Sequence, residues 1–148
     1  MSVIGGRALS CQQEIMGVYR APSLLAWLSS VAGAPVAECP NEVENVIMTR
    51  LEGVGDEHGW HLDDYELALI SVVTAPPLGR GGVLQLDQPG GVSSVSLAAG
   101  DVYLMRTDRV RHRVAPLRGS DERLILNFTY SLEGSSAQPN GSAEFLCT

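Results

Sequence analysis

The sequence predicts a mainly β protein, a sandwich or barrel of short strands with little helix. Three observations carry this. Apolar runs rich in β-branched residues recur along most of the chain, Gly- and Pro-rich punctuation separates them at close spacing, and a single segment, residues 21–33, shows clear helical periodicity. With 148 residues, 45% hydrophobic and 18% charged, the chain has the size of one globular domain with a real core. It contains no internal sequence repeat.

Residues 1–20 are weakly patterned and read as a lead-in strand or loop. In APSLLAWLSSVAG, Pro22 suits a first helical turn and Gly33 a C-terminal cap. Leu24, Trp27, Leu28 and Val31 recur at helical spacing, which predicts an apolar face with Trp27 in the core. Val43–Leu51 reads as a strand, and GVGDEHGW as a turn. His61–Ala75 is predicted to be the central strand, ended by Pro76-Pro77. Val83–Leu86, Val92–Leu97, Asp101–Met105 and Val110–Ala115 follow as short strands, with turns at LGRGG, DQPGG, AAGD and RTDR. Gly100-Asp101 reads as a tight turn that starts a strand. Arg123–Leu132 is the last strand. The domain is therefore expected to span residues 1–132, with 133–148, small and polar, as a loose tail.

The totals exclude several classes of function. A formal charge of −7 argues against nucleic-acid and anionic-membrane partners, and is compatible with a cationic or neutral small substrate. Cys11, Cys39 and Cys147 are odd in number and widely spaced, which fits reduced thiols in a cytoplasm and not a disulfide framework or zinc ribbon. No signal peptide is evident, and no apolar run reaches the roughly 18–20 residues needed to span a bilayer. Asn127-Phe128-Thr129 and Asn140-Gly141-Ser142 match the glycosylation pattern, read here as chance matches.

The chemistry is concentrated around His61-Leu62-Asp63. In a strand, residues two apart point to the same side, so an imidazole and a carboxylate can meet at one point. The chain has three histidines, and His112, in the strand RHRVAP, can complete a set of two histidines and one carboxylate. Such a set occupies one face of an octahedral metal and leaves positions open, as in non-haem Fe(II) oxygenases; mononuclear zinc hydrolysis is the competing use. Arg123 opens RLILNFTY, where Arg123, Ile125, Asn127 and Thr129 share one face and Leu124, Leu126, Phe128 and Tyr130 the other. With the apolar face packed on the helix, Arg123 points inward, where a buried guanidinium needs an anion, and its planar fork matches a carboxylate.

His61-x-Asp63, His112 and Arg123, over roughly residues 45–130, resemble the signature of the Fe(II)/2-oxoglutarate-dependent dioxygenases, and HGWHLDD is similar to compact bacterial members acting on small metabolites such as amino acids. The resemblance implies a double-stranded β-helix, a jelly-roll of cupin-like kind, with one or two short supporting helices. It implies Fe(II) held by His61, Asp63 and His112, and 2-oxoglutarate chelating the metal with its far carboxylate on Arg123, helped by Thr129. It also implies O2 as co-reactant and hydroxylation of an unactivated C–H of a small molecule. Related halogenases carry a small residue in place of the carboxylate ligand; Asp63 favours hydroxylation, with desaturation or cyclisation using the same ligands. The chain is short for this family and has no large insert to act as a lid, which points to an open site, a homo-oligomer or a partner subunit.

Trp60, Asp64 and Tyr65 flank the ligands and are candidate substrate contacts, as are Asn45 and Arg50 on the preceding strand and Arg80 in a Gly-rich loop. His58 is expected to be exposed in a turn, and Arg111 and Arg113 to lie on the face opposite His112. Two rival readings keep the scaffold: a cupin-like metal enzyme that does not use 2-oxoglutarate and gives Arg123 no task, and a catalytically silent small-molecule binding protein.

Overall fold

The computed structural model describes residues 1–134. The chain opens with strand β1 (Ser2–Ile4) and helices α1 (Gly6–Leu9), α2 (Gln13–Tyr19) and α3 (Pro22–Ala32). Strands β2 (Val36–Glu38), β3 (Val46–Leu51), β4 (His58–His61) and β5 (Leu67–Thr74) come next. They are followed by β6 (Leu84–Gln88), β7 (Gly91–Val95), β8 (Val102–Arg106), β9 (His112–Val114) and β10 (Arg123–Leu132). One sheet has the order β1-β3-β10-β5-β8, with β2 also paired to β10; the second has the order β4-β9-β6-β7. Every pairing is antiparallel. The two sheets form the double-stranded β-helix, and residues of both line the space between them.

The two faces of the larger sheet are covered in different ways. Phe128 and Tyr130 of β10, with Val46 and Leu67, pack outward against Leu9, Met16, Tyr19 and Leu28 of the helices. Arg123, Ile125, Asn127 and Thr129 of the same strand face the interior, as period-two alternation requires. Tyr19 joins the layers. It stacks on Tyr130 (centroids 4.9 Å apart) and meets Phe128 edge-on. Its hydroxyl donates to the Thr129 carbonyl at 2.9 Å and accepts from the Cys39 amide at 2.8 Å.

Several expectations need correction. Trp27 is 51% exposed and Val31 56%, whereas Leu28 is fully buried and Leu24, Leu25 and Ala32 pack beside it. Ser29 explains the rotation. Its hydroxyl accepts from the Val36 amide at 2.9 Å, so that side of α3 must face β2. At about 100° per residue, Trp27 is then turned to the opposite side. The cap is as expected, with Gly33 in the left-handed region (φ 68°). Residues 1–20 contain two helices that their pattern does not show. Both are short and lack side-chain caps, so tertiary packing sustains them and not local propensity. α1 approaches the β3 lead so closely that a Cβ on Gly6 would collide with the Glu42 carbonyl and the Asn45 side chain.

The expected central strand is two strands in two different sheets. β4 pairs with β9 in the smaller sheet, β5 pairs with β10 and β8 in the larger, and residues 62–66 cross between them. β2 is an additional strand. All but the first two residues of the expected tail lie outside the described residues. Among the described residues, no helix is long and apolar enough to cross a membrane.

Tyr19→Phe keeps the ring packing but strands the buried Cys39 amide. It should lower unfolding free energy by about 1–3 kcal/mol, read from urea denaturation midpoints.

Candidate metal centre and cavity

The smaller sheet positions the two imidazoles. His61 and His112 are directly paired residues of β4 and β9, so their side chains emerge on the same face as cross-strand neighbours. The rings lie 4.2 Å apart between centroids. Each is oriented by the same local device. His61 Nδ1 is 2.7 Å from the Gly59 carbonyl and His112 Nδ1 is 2.8 Å from the Val110 carbonyl, in both cases two residues upstream. A carbonyl can only accept, so Nδ1 carries the proton and Nε2 is left with its lone pair for a metal.

Asp63 reaches the same point from the crossover and not from a strand. Its amide donates to the Thr107 carbonyl at 3.0 Å, which fixes the backbone outside either ladder. Its Oδ1 lies 3.4 Å from His61 Nε2 and 3.9 Å from His112 Nε2. Donor atoms of the three residues all fall within 4.8 Å of one another. Burial works to raise the Asp63 pKa, but the His61 hydrogen bond and the neighbouring imidazoles outweigh it and hold the carboxyl below its usual range. Burial lowers His112, whereas in His61 the Asp63 and Gly59 contacts overcome burial and raise it. Two imidazoles, neutral when they bind a metal, and one carboxylate form a donor set suited to a divalent first-row metal.

A cavity of about 480 Å³ opens over this triad. Arg123 lines it and is only 2% exposed. Its Nη2 is buried with no hydrogen-bond partner. Burial pulls its pKa down, and the Tyr103 hydroxyl, hydrogen-bonded to it, opposes that; a guanidinium stays charged under such a shift. A buried cation with a spare donor fork, facing a cavity, fits the carboxylate of a bound acid. Tyr103 was not expected at the site. Alternation along VYLM places it and Met105 inward, and both line the cavity.

Elsewhere in the cavity lie two buried carboxylates, Glu44 and Asp64, together with Asn127 and Thr129. Thr129 is six residues from Arg123 along one strand, about 20 Å at about 3.3 Å per residue. It therefore cannot share a carboxylate with Arg123; Tyr103 is the group beside that guanidinium. The Thr129 amide donates to the Asn45 carbonyl, which places it near Glu44. The cavity is thus polarised, with a cation at one end and acids at the other.

The other substrate candidates divide clearly. Asp64 and Tyr65 line the cavity. Trp60 does not. It faces outward from β4, beneath the Arg111 and Arg113 guanidiniums at 5.4 and 5.0 Å, because its neighbour His61 faces in. Arg111 and Arg113 lie opposite His112, as alternation predicts. Arg50 points outward from β3 to Glu52 and Glu122. Asn45 is buried beside Gly6 and not in the cavity wall. Arg80 is exposed in its loop and away from the cavity, and of β3 it is Thr49 and Leu51, not Arg50, that line the interior. His58 corrects the opposite way. It is not an exposed turn residue but the first residue of β4, lining the cavity and stacked on His61 at 4.0 Å. Burial first, and His61 next, push its pKa down to about 4, so it is neutral.

The fold is the double-stranded β-helix, and it is shared with solved 2-oxoglutarate/Fe(II) oxygenases. A solved oxidoreductase of the 2OG-Fe(II) oxygenase family from Burkholderia pseudomallei superposes with a TM-score of 0.69 at 19% identity, over 86% of this chain and 59% of that one. SnoN, a non-heme alpha ketoglutarate dependent epimerase from nogalamycin biosynthesis, superposes with a TM-score of 0.69 at 18% identity, over 97% and 66% of the two chains. A PKHD-type hydroxylase of Maricaulis maris is 27% identical over 100 residues, 63% of this chain; the chain spans 45% of that relative's length. The family model described as Halogenase D matches residues 1–88 and 88–144, and the chain belongs to that family.

Removing one donor should be far more damaging than disturbing its neighbours. His112→Ala is expected to weaken Co(II) or Fe(II) binding by more than about 100-fold, the upper end of effects seen for outer partners, while Trp60→Phe leaves it unchanged. Isothermal titration under anaerobic conditions reads both.

Proposed function

We propose that the chain is an Fe(II)- and 2-oxoglutarate-dependent oxygenase that uses O2 to hydroxylate a small molecule carrying a cationic group, such as an amino acid. The observation that carries this is Arg123, a buried guanidinium with an unused donor in the same cavity as His61, Asp63 and His112. A cupin-like enzyme without 2-oxoglutarate, or a silent binding protein, leaves that buried charge without a task.

His61, Asp63 and His112 would hold the iron through Nε2, a carboxylate oxygen and Nε2. When bound, iron and 2-oxoglutarate supply the O2-activating chemistry that attacks a C–H bond. The protein's own residues do the rest. Arg123 and Tyr103 grip the remote carboxylate of the keto diacid and fix its orientation. Ile70, Leu84, Val114 and Ile125 wall the cavity with apolar surface that limits water. Glu44 and Asp64, both buried, match a substrate ammonium, which sets where the substrate's carbon chain lies relative to the metal.

Halogenation is the second reading, because the family carries that name. Related halogenases leave the carboxylate ligand's position open for a halide. Here Asp63 fills it, which supports oxygen transfer.

Anaerobic addition of 2-oxoglutarate to the Fe(II) protein should produce the visible charge-transfer band of the chelate. In Arg123→Ala the 2-oxoglutarate concentration for half-saturation should rise by about 10- to 150-fold, the equivalent of losing about 1.5–3 kcal/mol of charged hydrogen bonding. Tyr103→Phe should give a smaller rise. Unchanged titrations in Arg123→Ala would remove the cosubstrate assignment.

Aerobic turnover against a panel of free amino acids, with chloride in excess, should yield products that gain one oxygen atom, with basic amino acids preferred. A chlorinated product in the mass spectrum would show that Asp63 does not set the reaction type.

A further inference from the structure

The outer face of the smaller sheet carries a second concavity that the metal centre does not use. All ten basic side chains of the protein are arginines, and six of them, Arg80, Arg106, Arg109, Arg111, Arg113 and Arg118, fall within residues 80–118. Arg113 and Arg118 line a groove of about 530 Å³, on the opposite face of β9 from His112. Gln85, Ser94 and Ser96 extend its floor across β6 and beyond β7, and Leu78 stands at its rim, 88% exposed.

This groove is held in shape. The Arg118 amide donates to the Arg80 carbonyl at 2.8 Å, and the Ala115 amide to the Val83 carbonyl at 2.9 Å, so the loops before β6 and after β9 run together. Gly81 permits that approach; a Cβ there would collide with the Pro116 carbonyl, and its φ of 85° is in the left-handed region. The Arg113 guanidinium is preset as well. Its Nε donates to Gln85 Oε1 at 2.7 Å and the plane sits over Trp60, leaving the Nη groups to meet a ligand. Arg111 reaches Asp87 at 3.7 Å. Among the described residues, neither Arg113 nor Arg118 takes part in an ion pair.

We propose that this groove docks a short acidic segment of a partner polypeptide, its carboxylates on Arg113 and Arg118 and an apolar side chain between them against Leu78. The charge balance selects this occupant. The whole chain is at −7, so a long polyanion such as a nucleic acid is repelled by everything beyond the patch. A segment with two or three carboxylates lies within about 8 Å of the arginines and is screened from the rest. A lone phosphate would leave the apolar rim of Leu78, Val83 and Pro116 unused. The site is independent of the cavity chemistry and stands whether or not the oxygenase reading holds.

The test uses the full chain and a fluorescein-labelled probe peptide, Glu-Leu-Glu-Ala-Glu, with its Gln-Leu-Gln-Ala-Gln counterpart as control. Anisotropy should show saturable binding of the acidic probe, absent for the amide control and weakened as NaCl is raised. Arg118→Glu changes only an exposed side chain and should weaken binding by about tenfold or more, with Arg118→Ala intermediate. Hydrogen exchange should show protection by the probe within residues 78–83 and 113–118. Equal binding of the amide control, an unaltered Arg118→Glu variant, or protection confined to the metal cavity would each overturn the proposal. Inorganic phosphate displacing the probe at matched concentration would make this a small-anion site instead. Self-association through the same arginines, seen by sedimentation, would make it an interface between copies; both results reject the partner segment.

Discussion

The register between β4 and β9 is the constraint on which the site depends. His61 stands opposite His112, and side-chain direction in a strand reverses at each residue. A slip of one position in either strand would turn its imidazole out, to where Trp60 or Arg113 now lies. These strands are short, four and three residues, so their own hydrogen bonds hold the register weakly. What holds it is the surrounding apolar packing. Val114 of β9 pairs with Leu84 of β6 and packs with Leu51 and Leu117 in a small core beside the histidines. On the outer face, Arg111 and Arg113 close over Trp60. The same alternation that aims the imidazoles inward therefore also builds the arginine–tryptophan cover on the other side.

β10 divides the labour in the larger sheet in the same way. It pairs with three strands, β3, β5 and β2. Its outward residues Phe128 and Tyr130 lock onto Tyr19 and the helices, and its inward residues carry Arg123 and Asn127 to the cavity. A buried guanidinium with an unfilled donor is costly to hold. A strand anchored on both edges and packed on its other face can sustain that cost where a loop could not. The unsatisfied Arg123 Nη2 and Asn127 Oδ1 mark polar ends kept for a ligand, a recurrent property of binding sites built on rigid elements.

Strand positions were legible in the sequence wherever period-two alternation is strong. Arg123–Leu132 has the expected bounds, and its inner and outer faces are as the pattern implies. The helix at residues 22–32 was legible from Pro22 and Gly33, but its rotation was not, because Ser29 fixes it through a hydrogen bond to β2 that no periodicity encodes. The run His61–Ala75 looks like one strand because nothing in its composition marks a change of sheet; the break lies in which partners it meets. For the same reason Asp63 was placed at the right point by the wrong geometry, since it arrives from the crossover. Trp60 and Arg50 are suggested by proximity in sequence and Arg80 by its Gly-rich loop, and strand alternation or loop exposure takes each away from the cavity. Glu44, Tyr103 and His58 reach it through contacts between strands distant in the chain. Of these, only Tyr103 had a local signal, its alternation with Met105.

The origin of Asp63 in the crossover bears on how a family named for halogenation can include a member with a carboxylate ligand. His61 and His112 are members of one ladder, so shifting either strand disturbs the alignment that brings the two rings together. Asp63 is tied to the backbone by its amide, which donates to the Thr107 carbonyl, and that bond is made whatever the side chain. The carboxylate can thus be exchanged for a small residue without altering the strand register, with the loss only of its contacts to the two imidazoles and of its share of the cavity wall. Its removal instead changes the number of filled positions on the metal and the charge beside it. On the proposed function, the ligand that would separate oxygen transfer from halide transfer is the one least tied to the fold, a side chain outside both ladders.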